Sequence, residues 1–406
     1  MLAAVLVATG AGGVFWRATR AVEQPASVPA PMPLAGVPAA AAMVQGRSLA
    51  NGAVAATGPA SAASLALAAV DKEFVEVCGI GRVRRSDMEQ VEGRPEPAWL
   101  QTLERQSQQE LAAIQKRLEA GSVRQRVGAA VMRGDTEGAA QLAASTQDGT
   151  AYRLALRVCR QDASYRAAYK RRPPPIASAA SGFEMQEPPA PGPLPSACAA
   201  LSLERLELLE PDDAWPWLAR LNDSSARGDD EGVTLALHQI AQRRRLTPST
   251  RALSATVAEV VGAEPTANEA FALMTAVGMD MASGLDGSLL SIGKSCSPAA
   301  LRDANRRQQC EQIARRMPGM VAEAVDAAVL YSLEERLGLP HSKEAFSHEE
   351  LGRAMEVAAK ESMSWVEEPS CANISSMGRH VVALARGGEL AAMRVWLEAS
   401  RASAPR

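Results

Sequence analysis

The residues with the clearest chemical potential in this chain of 406 amino acids are its six cysteines. They are Cys78, Cys159, Cys198, Cys296, Cys310 and Cys371. An even number of cysteines behind an apolar, export-type N-terminus is typical of a disulfide framework formed in an oxidising compartment. The alternative interpretation is that some of them are buried free thiols, which behave as small apolar side chains.

Spacing along the chain favours one set of disulfide pairs. Cys159 and Cys198 flank a proline-rich stretch, so a bridge between them would join the two ends of that stretch. Once the pair at 296 and 310 is assigned, Cys78 and Cys371 remain. Their bridge would tie the beginning of the folded body to its end. Each closed loop is expected to contribute roughly 3–5 kcal/mol by the chain-entropy model.

The pairing of Cys296 with Cys310 makes a prediction about the helices around it. In one unbroken helix the two cysteines would stand about 20 Å apart. A disulfide needs Cα atoms within about 7 Å. Pairing therefore requires a break, for which the stretch Asp303-Ala304-Asn305 offers capping residues.

Other stretches come close to catalytic or metal-binding motifs without completing them. Gly287 stands one residue too far from Gly293-Lys294-Ser295 for a phosphate-binding loop, and no hydrophobic strand precedes it. Ser291 and Lys294 match a Ser-x-x-Lys pattern of some acyl-enzymes, but its companion motifs are missing. His341 and His348 are seven residues apart, and Ser347 with Glu350 is better explained as a helix capping box. We therefore predict no catalytic, metal or cofactor residues.

The elements that must position these residues are predicted to be helices. Hydrophobic residues make up 47% of the chain and aromatic residues only 4%, and alanine and leucine are strong helix formers. Strand-like stretches in which apolar and polar residues alternate are not evident, which favours an all-α class. The net charge of −3 gives no electrostatic reason to expect nucleic-acid binding.

One stretch has the layout of a helical hairpin. Pro211-Asp212-Asp213 offers an aspartate cap for a helix that contains Trp215 and Trp217. Gly228-Asp229 then offers a turn into a second amphipathic helix. Because Trp215 and Trp217 are two residues apart, they point to different faces of the helix. Core packing is expected for both, and the alternative is that one lines a binding groove.

This stretch resembles the tetratricopeptide repeat, a family of paired antiparallel helices in units of about 34 residues. The resemblance rests on Leu209 and the Pro-Asp-Asp start, on Trp217 at the family's early tryptophan position, and on the Gly228-Asp229 turn. Leu221 and Ser224 stand where the family prefers a small and an aromatic residue, which predicts altered packing within the hairpin.

The resemblance covers about one unit, 209–245, with fainter echoes at 123–147 and 376–400. Gly134-Asp135 and Gly387-Gly388 supply the turns of those echoes. Since the three turns are unevenly spaced, we predict an irregular array or bundle of helical hairpins, tetratricopeptide-like in part and braced by disulfides. The resemblance implies that the array works in protein–protein interaction.

The chain divides by composition into five segments. They are a signal anchor or signal peptide (1–20), a disordered Ala/Pro-rich tether (21–68), an N-terminal helical region (69–171), a Pro-rich loop (172–196) and a C-terminal helical domain (197–406). The apolar N-terminus is short for a spanning helix, so a membrane anchor and a cleaved signal are both open.

Together these observations predict an exported scaffold of the bacterial cell envelope that binds an unknown protein partner. Its N-terminal segment would contact the inner membrane, and its body would lie in the periplasm. The alternative is a periplasmic, hydrolase-like enzyme whose site is dispersed over helices and leaves no motif.

Overall fold

The computed structural model describes residues 73–88, 98–171, 192–247, 251–282, 289–342, 347, 349–357 and 369–403. The predicted signal segment 1–20, the tether 21–68 and residues 172–191 of the Pro-rich loop lie outside these ranges. Within them the chain is overwhelmingly helical, which confirms the predicted all-α class. None of these helices is both long enough and apolar enough to cross a membrane.

The helices before the Pro-rich stretch are α1 (Ala98–Glu119), α2 (Val123–Met132), α3 (Thr136–Ala144) and α4 (Gly149–Lys170). After it come α5 (Leu203–Leu209), α6 (Trp215–Arg227), α7 (Asp230–Gln242), α8 (Ala252–Val261), α9 (Ala267–Ala282), α10 (Leu290–Ser295), α11 (Ala304–Arg316), α12 (Ala324–Leu337), α13 (Cys371–Gly387) and α14 (Glu389–Ser403). A further helical segment occupies 349–357, and 3-10 turns occupy Ser196–Ala200 and Ala300–Arg302.

One small sheet corrects the expectation that strands are absent. Strand β1 (Phe74–Val77) pairs antiparallel with β2 (Gly81–Arg84). Val75 and Val77 are buried, whereas Glu76 between them is exposed. This alternation spans only four residues in each strand, which is too short to stand out in a sequence dominated by helix formers.

The turns between helices agree with the sequence analysis. Gly228, between α6 and α7, has a positive φ of 68°, and Gly134, between α2 and α3, has a φ of 71°. Asp229 and Asp135 each follow the glycine and cap the next helix, accepting the backbone N–H three residues later at 2.8 Å. Gly388 separates α13 from α14 with a φ of 87°. All three predicted turns are present.

Two large hydrophobic clusters hold the helices together. Core 1 is formed by α1–α6, α8, α9 and α13, with buried members that include Leu118, Tyr152, Leu154, Leu253, Leu273 and Ile374. Core 2 is formed mainly by α6, α7 and α10–α12, with members that include Leu221, Leu237, Ile240, Ile313 and Leu333. Helices from both sides of the Pro-rich loop therefore share core 1. The division of the body at 172–196 stays a prediction.

The three disulfides are those that the sequence analysis favoured. Their Cα–Cα distances are 4.6 Å for Cys78–Cys371, 5.6 Å for Cys159–Cys198 and 6.0 Å for Cys296–Cys310. The helix break needed for the last pair is present, because α10 ends at Ser295 and α11 begins after Asp303. The Asp303 side chain caps α11 by accepting the Arg306 backbone N–H at 2.7 Å.

Candidate functional site

The start of helix α6 is fixed by Asp213, the second aspartate of the Pro-Asp-Asp stretch. Asp213 is almost completely buried, and its carboxylate accepts the Trp215 backbone N–H at 2.9 Å. It also accepts the Thr247 backbone N–H at 3.2 Å and bonds the Arg245 guanidinium at 3.2 Å. The helix start is thus locked to the chain that follows α7, which sets the orientation of the whole α6–α7 hairpin.

A buried arginine joins this helix start to α4. Arg153 of α4 donates a hydrogen bond to Glu210, lies 3.5 Å from Asp213 and donates to the Thr247 carbonyl at 3.2 Å. Burial raises the pKa of Glu210, and the nearby Arg153 charge opposes that effect. Removing one partner of such a network would leave an uncompensated buried charge, so these residues serve the structure.

A groove of about 680 Å³ opens between α4, the segment 194–204 and the α6–α7 hairpin. Of the two tryptophans proposed as groove residues, Trp217 lines it and is half-buried. Trp215 is fully buried in core 1 and lies away from the groove. The two-residue spacing does separate the side chains, with Trp215 in the core and Trp217 at the groove.

Two guanidinium groups lie near the Trp217 ring. The Arg220 and Arg243 guanidinium carbons lie 5.4 Å and 5.5 Å from the ring centroid, within the range of cation–π attraction. Arg220 is held by Glu204 at 2.8 Å and by a second ion pair with Glu207. Partial burial would lower the pKa of Arg220, but the hydrogen bonds that Arg220 donates to these two carboxylates outweigh that effect and raise its pKa. Arg220 is therefore a permanent cation beside the ring.

The rest of the groove mixes ion pairs with apolar rims. Arg160 of α4 and Asp223 of α6 form a two-pronged pair at 3.0 Å and 2.8 Å. Arg227 is more loosely held, 64% exposed and 3.8 Å from its Asp229 partner. Leu194 and Leu235, on different walls, are 41% and 53% exposed and present apolar surface to the groove.

The Cys159–Cys198 disulfide, here called the groove disulfide, forms part of the groove lining. It holds α4 against the 3-10 turn Ser196–Ala200. Close by, the Tyr152 hydroxyl accepts the Ser202 backbone N–H at 2.8 Å. The wall formed by 194–204 is thus fixed to α4 by a covalent bond and a buried hydrogen bond.

The Glu204 carboxyl of the groove lining is shifted towards its ionised form. The pKa of Glu204 is lowered by a hydrogen bond with its own backbone N–H, and further by Arg220 and Ser202. Glu204 is therefore ionised at neutral pH and accepts hydrogen bonds. An acid catalyst would need the opposite shift, a raised pKa.

The other candidate chemistries of the sequence do not converge on this groove. His341 bonds Glu334 at 3.1 Å and stacks on Tyr331 with centroids 3.8 Å apart, while His348 lies outside the described residues. Ser347 and Glu350 form the predicted capping box. Ser291 is buried in α10 and Lys294 is exposed. Within the described ranges no group of three or more potential metal ligands occurs.

Comparisons with protein-family models, with curated proteins and with solved structures found no match.

Sequence reasoning missed most of the residues that shape the groove. Arg220 could have been found, because it follows Trp217 by three residues and so shares its helix face. Arg160 and Asp223 could not, since they lie 63 residues apart and meet only after α4 and α6 have packed. Leu194 and Leu235 carry no sequence signal that separates them from core leucines.

Proposed function

We propose that this chain is an exported helical scaffold of the bacterial cell envelope that binds a segment of a partner protein in the groove beside α6–α7. The observation that carries the proposal is the half-buried Trp217, which lines that groove together with Arg220, whose guanidinium carbon lies 5.4 Å from the ring centroid. Tryptophan and arginine are the residues most enriched among those that dominate protein–protein binding energy.

The dimensions of the groove support a peptide-sized ligand. A volume of about 680 Å³ accommodates several side chains and falls within the usual range of ligand sites. Leu194 and Leu235 offer apolar contacts on two walls, and the ion pairs of the groove lining offer polar contacts to a bound segment.

The architecture supports the same role. We infer that the α6–α7 hairpin is a tetratricopeptide-like unit and that the α2–α3 and α13–α14 hairpins are its degenerate relatives. Hairpin arrays present grooves between successive helices, and such grooves bind partner segments. In this protein the unit at 209–245 contributes its first helix to the groove, and the disulfides replace regular stacking as the brace.

The location is proposed from the disulfides and the N-terminal sequence together. Three disulfides are compatible with an extracellular or periplasmic environment. The apolar segment 1–20 would act as a signal anchor or a signal peptide, with 21–68 as the tether to the body. Fractionation of cells that express the full chain should place residues 73–403 on the periplasmic side.

Site-specific crosslinking tests the groove directly. A photo-crosslinking amino acid at Leu235, which is 53% exposed in the groove, should capture a discrete partner in the oxidised full-length protein. The same group at Val395, 55% exposed on α14, is the matched control. We expect the Leu235 product to be absent at Val395, and a synthetic peptide of the captured segment should abolish it.

A second variant connects the crosslink to the Trp217 ring. Trp217→Ala should lower the crosslink yield at Leu235 by about tenfold, as expected for loss of a dominant aromatic contact. Circular dichroism should show that the helix content is kept. Equal crosslinking at Leu235 and Val395, or a yield indifferent to Trp217→Ala, would show that the groove is not the binding site.

A further inference from the structure

The three disulfides differ sharply in their access to solvent. Cys296 and Cys310 are completely buried in core 2, so their bond is here called the buried disulfide. Cys371 is exposed and Cys78 is half-buried, and their bond is here called the hairpin disulfide. A thiol reagent can therefore approach the hairpin disulfide without unfolding of the core, while the buried disulfide needs unfolding first.

Cys371 has a position that favours its release as a thiolate. It is the first residue of the 17-residue helix α13, which is capped by Ser370 through the Asn373 backbone N–H at 3.3 Å. Unpaired N–H groups and the helix dipole stabilise a thiolate at this end of a helix. The first turn of α13 contains no acidic residue that would oppose this effect.

The hairpin disulfide connects α13 to an element that is weakly stable on its own. A two-stranded sheet such as β1–β2 is at best marginally stable in isolation. Beside the disulfide, the Cys78 backbone N–H donates to the Pro369 carbonyl at 2.9 Å. Val75 and Val77 add buried apolar contact. Cleavage of the disulfide removes the covalent part of this attachment.

We propose that the hairpin disulfide is a redox-modification site that undergoes thiol–disulfide exchange with an external protein dithiol, and that its reduction releases the β1–β2 hairpin from α13. This site is distinct from the groove, and its test does not depend on the proposed binding function. The groove disulfide, whose cysteines are only 4% and 7% exposed, and the buried disulfide stay closed under conditions that open the hairpin disulfide.

The exchange proceeds in two balanced steps. A thiolate of the external dithiol attacks Cys78 Sγ, the bond to Cys371 breaks, and Cys371 leaves as the thiolate. The second thiol of the dithiol loses its proton and attacks its own partner sulfur in the mixed disulfide, which frees Cys78. The external dithiol is oxidised by two electrons to a disulfide, and its two protons end on Cys78 and Cys371.

Staged reduction of the native full-length protein tests the order of opening. The protein is treated with limited dithiothreitol, alkylated and analysed by peptide mapping, with circular dichroism recorded in parallel. Alkylation of Cys78 and Cys371 should be at least about tenfold faster than that of Cys296 and Cys310, with helix content kept. Equal or reversed rates, or alkylation only after loss of helix content, would overturn the proposal.

A monothiol probe tests which sulfur is attacked. Reduced glutathione followed by acid quench should give an adduct on Cys78 and a free thiol at Cys371. Ala372→Asp should slow the exchange several-fold relative to Ala372→Asn, because the two side chains match in size and only Asp adds charge beside Cys371. An adduct chiefly on Cys371, or equal rates in the two variants, would refute the assignment of Cys371 as the leaving group.

Release of the hairpin has its own readout. In a variant with Cys78→Ser and Cys371→Ser, amide hydrogen exchange should accelerate across 74–84 and stay unchanged in α6 and α7. A matched variant with Cys296→Ser and Cys310→Ser should leave the exchange of 74–84 unaltered. Full protection of 74–84 in the first variant would show that the disulfide does not hold the hairpin.

Discussion

Asp326 carries a carboxyl group into the protein interior at the start of helix α12. It is 5% exposed and accepts the Leu289 backbone N–H at 2.9 Å, which joins α12 to the residue before α10. Burial raises the pKa of Asp326 from 3.8 to about 6, the Leu289 N–H opposes the shift, and the negative charge of Glu389 adds to it. At neutral pH a largely ionised carboxylate is therefore held in a poorly solvated place.

The variant Asp326→Asn is predicted to be more stable than the natural protein at pH 8. The pKa of Asp326 is higher in the folded state than in the unfolded state, so the folded state binds the Asp326 proton more tightly. The resulting stabilisation of the folded state is complete below pH 3.8 and is lost as the pH rises through about 6. The shift corresponds to at most about 3 kcal/mol. Urea unfolding should show a gain of about 1–3 kcal/mol at pH 8 that fades towards pH 4.

The comparison with Asp326→Ala separates charge from hydrogen bonding. Asparagine keeps an oxygen that accepts the Leu289 N–H, whereas alanine leaves that buried donor without its Asp326 partner. Asp326→Ala should therefore gain less than Asp326→Asn at pH 8, by about 1–2 kcal/mol. A difference between Asp326→Asn and the natural protein that is independent of pH would contradict this account.

At the scale of single elements, local signals were predictable and contacts between distant segments were not. Gly228 and Asp229 act within a few residues of themselves, and Asp213 caps α6 through the Trp215 N–H, so the α6 start and the α6–α7 turn follow from the sequence. The further bonds of Asp213 to Thr247 and Arg245 do not. The helix break at Asp303 was predictable for the same reason. The link from Arg153 to Glu210 depends on packing of α4 against the end of α5, over 57 residues of chain, and no local rule contains it.

Gly388 shows how strictly one element boundary depends on its residue type. Its φ of 87° and ψ of 176° are almost confined to glycine. An added Cβ would stand 2.7 Å from the Ala322 carbonyl oxygen, which also accepts the Leu390 backbone N–H at 3.0 Å. The start of α14 therefore approaches the chain before α12 closely enough to exclude any side chain at 388.

Gly388→Ala is predicted to destabilise the protein by about 2 kcal/mol or more, through backbone strain and the clash with Ala322. Gly352→Ala is the matched control, because Gly352 is helical and nothing lies within 4 Å of an added Cβ. That control should be neutral or stabilising by up to about 1 kcal/mol. Urea unfolding midpoints measure both, and similar midpoints for the two variants would rule out the close approach at Gly388.

Across the whole molecule, helix α6 connects the two large cores. Trp215 and Ala219 on one of its faces belong to core 1, while Leu218 and Leu221 on the other belong to core 2. Displacement of α6 would therefore disturb both cores. The groove lies along this same helix, so a ligand bound at Trp217 contacts an element that both cores hold in place.

The membership of core 1 leads to a prediction about the region after the Pro-rich loop. A fragment of residues 192–406 lacks α1–α4 and so exposes the apolar faces that α8 and α9 turn towards them. These helices contribute Leu253, Val257 and Leu273 to core 1. With Cys198→Ser and Cys371→Ser to remove the two thiols whose partners Cys159 and Cys78 are absent, the fragment should bind a hydrophobic-surface dye and lack a cooperative urea transition.

The control for that fragment is the full chain with Cys159→Ser and Cys198→Ser. This variant loses the groove disulfide but keeps α1–α4. It should unfold cooperatively, with a free energy of unfolding lowered by roughly 3–4 kcal/mol. A sharp transition in the fragment would mean that the division at 172–196 separates two independently folding domains. A broad or absent transition would mean that α1–α4 complete core 1, because packing of those helices removes its apolar faces from water.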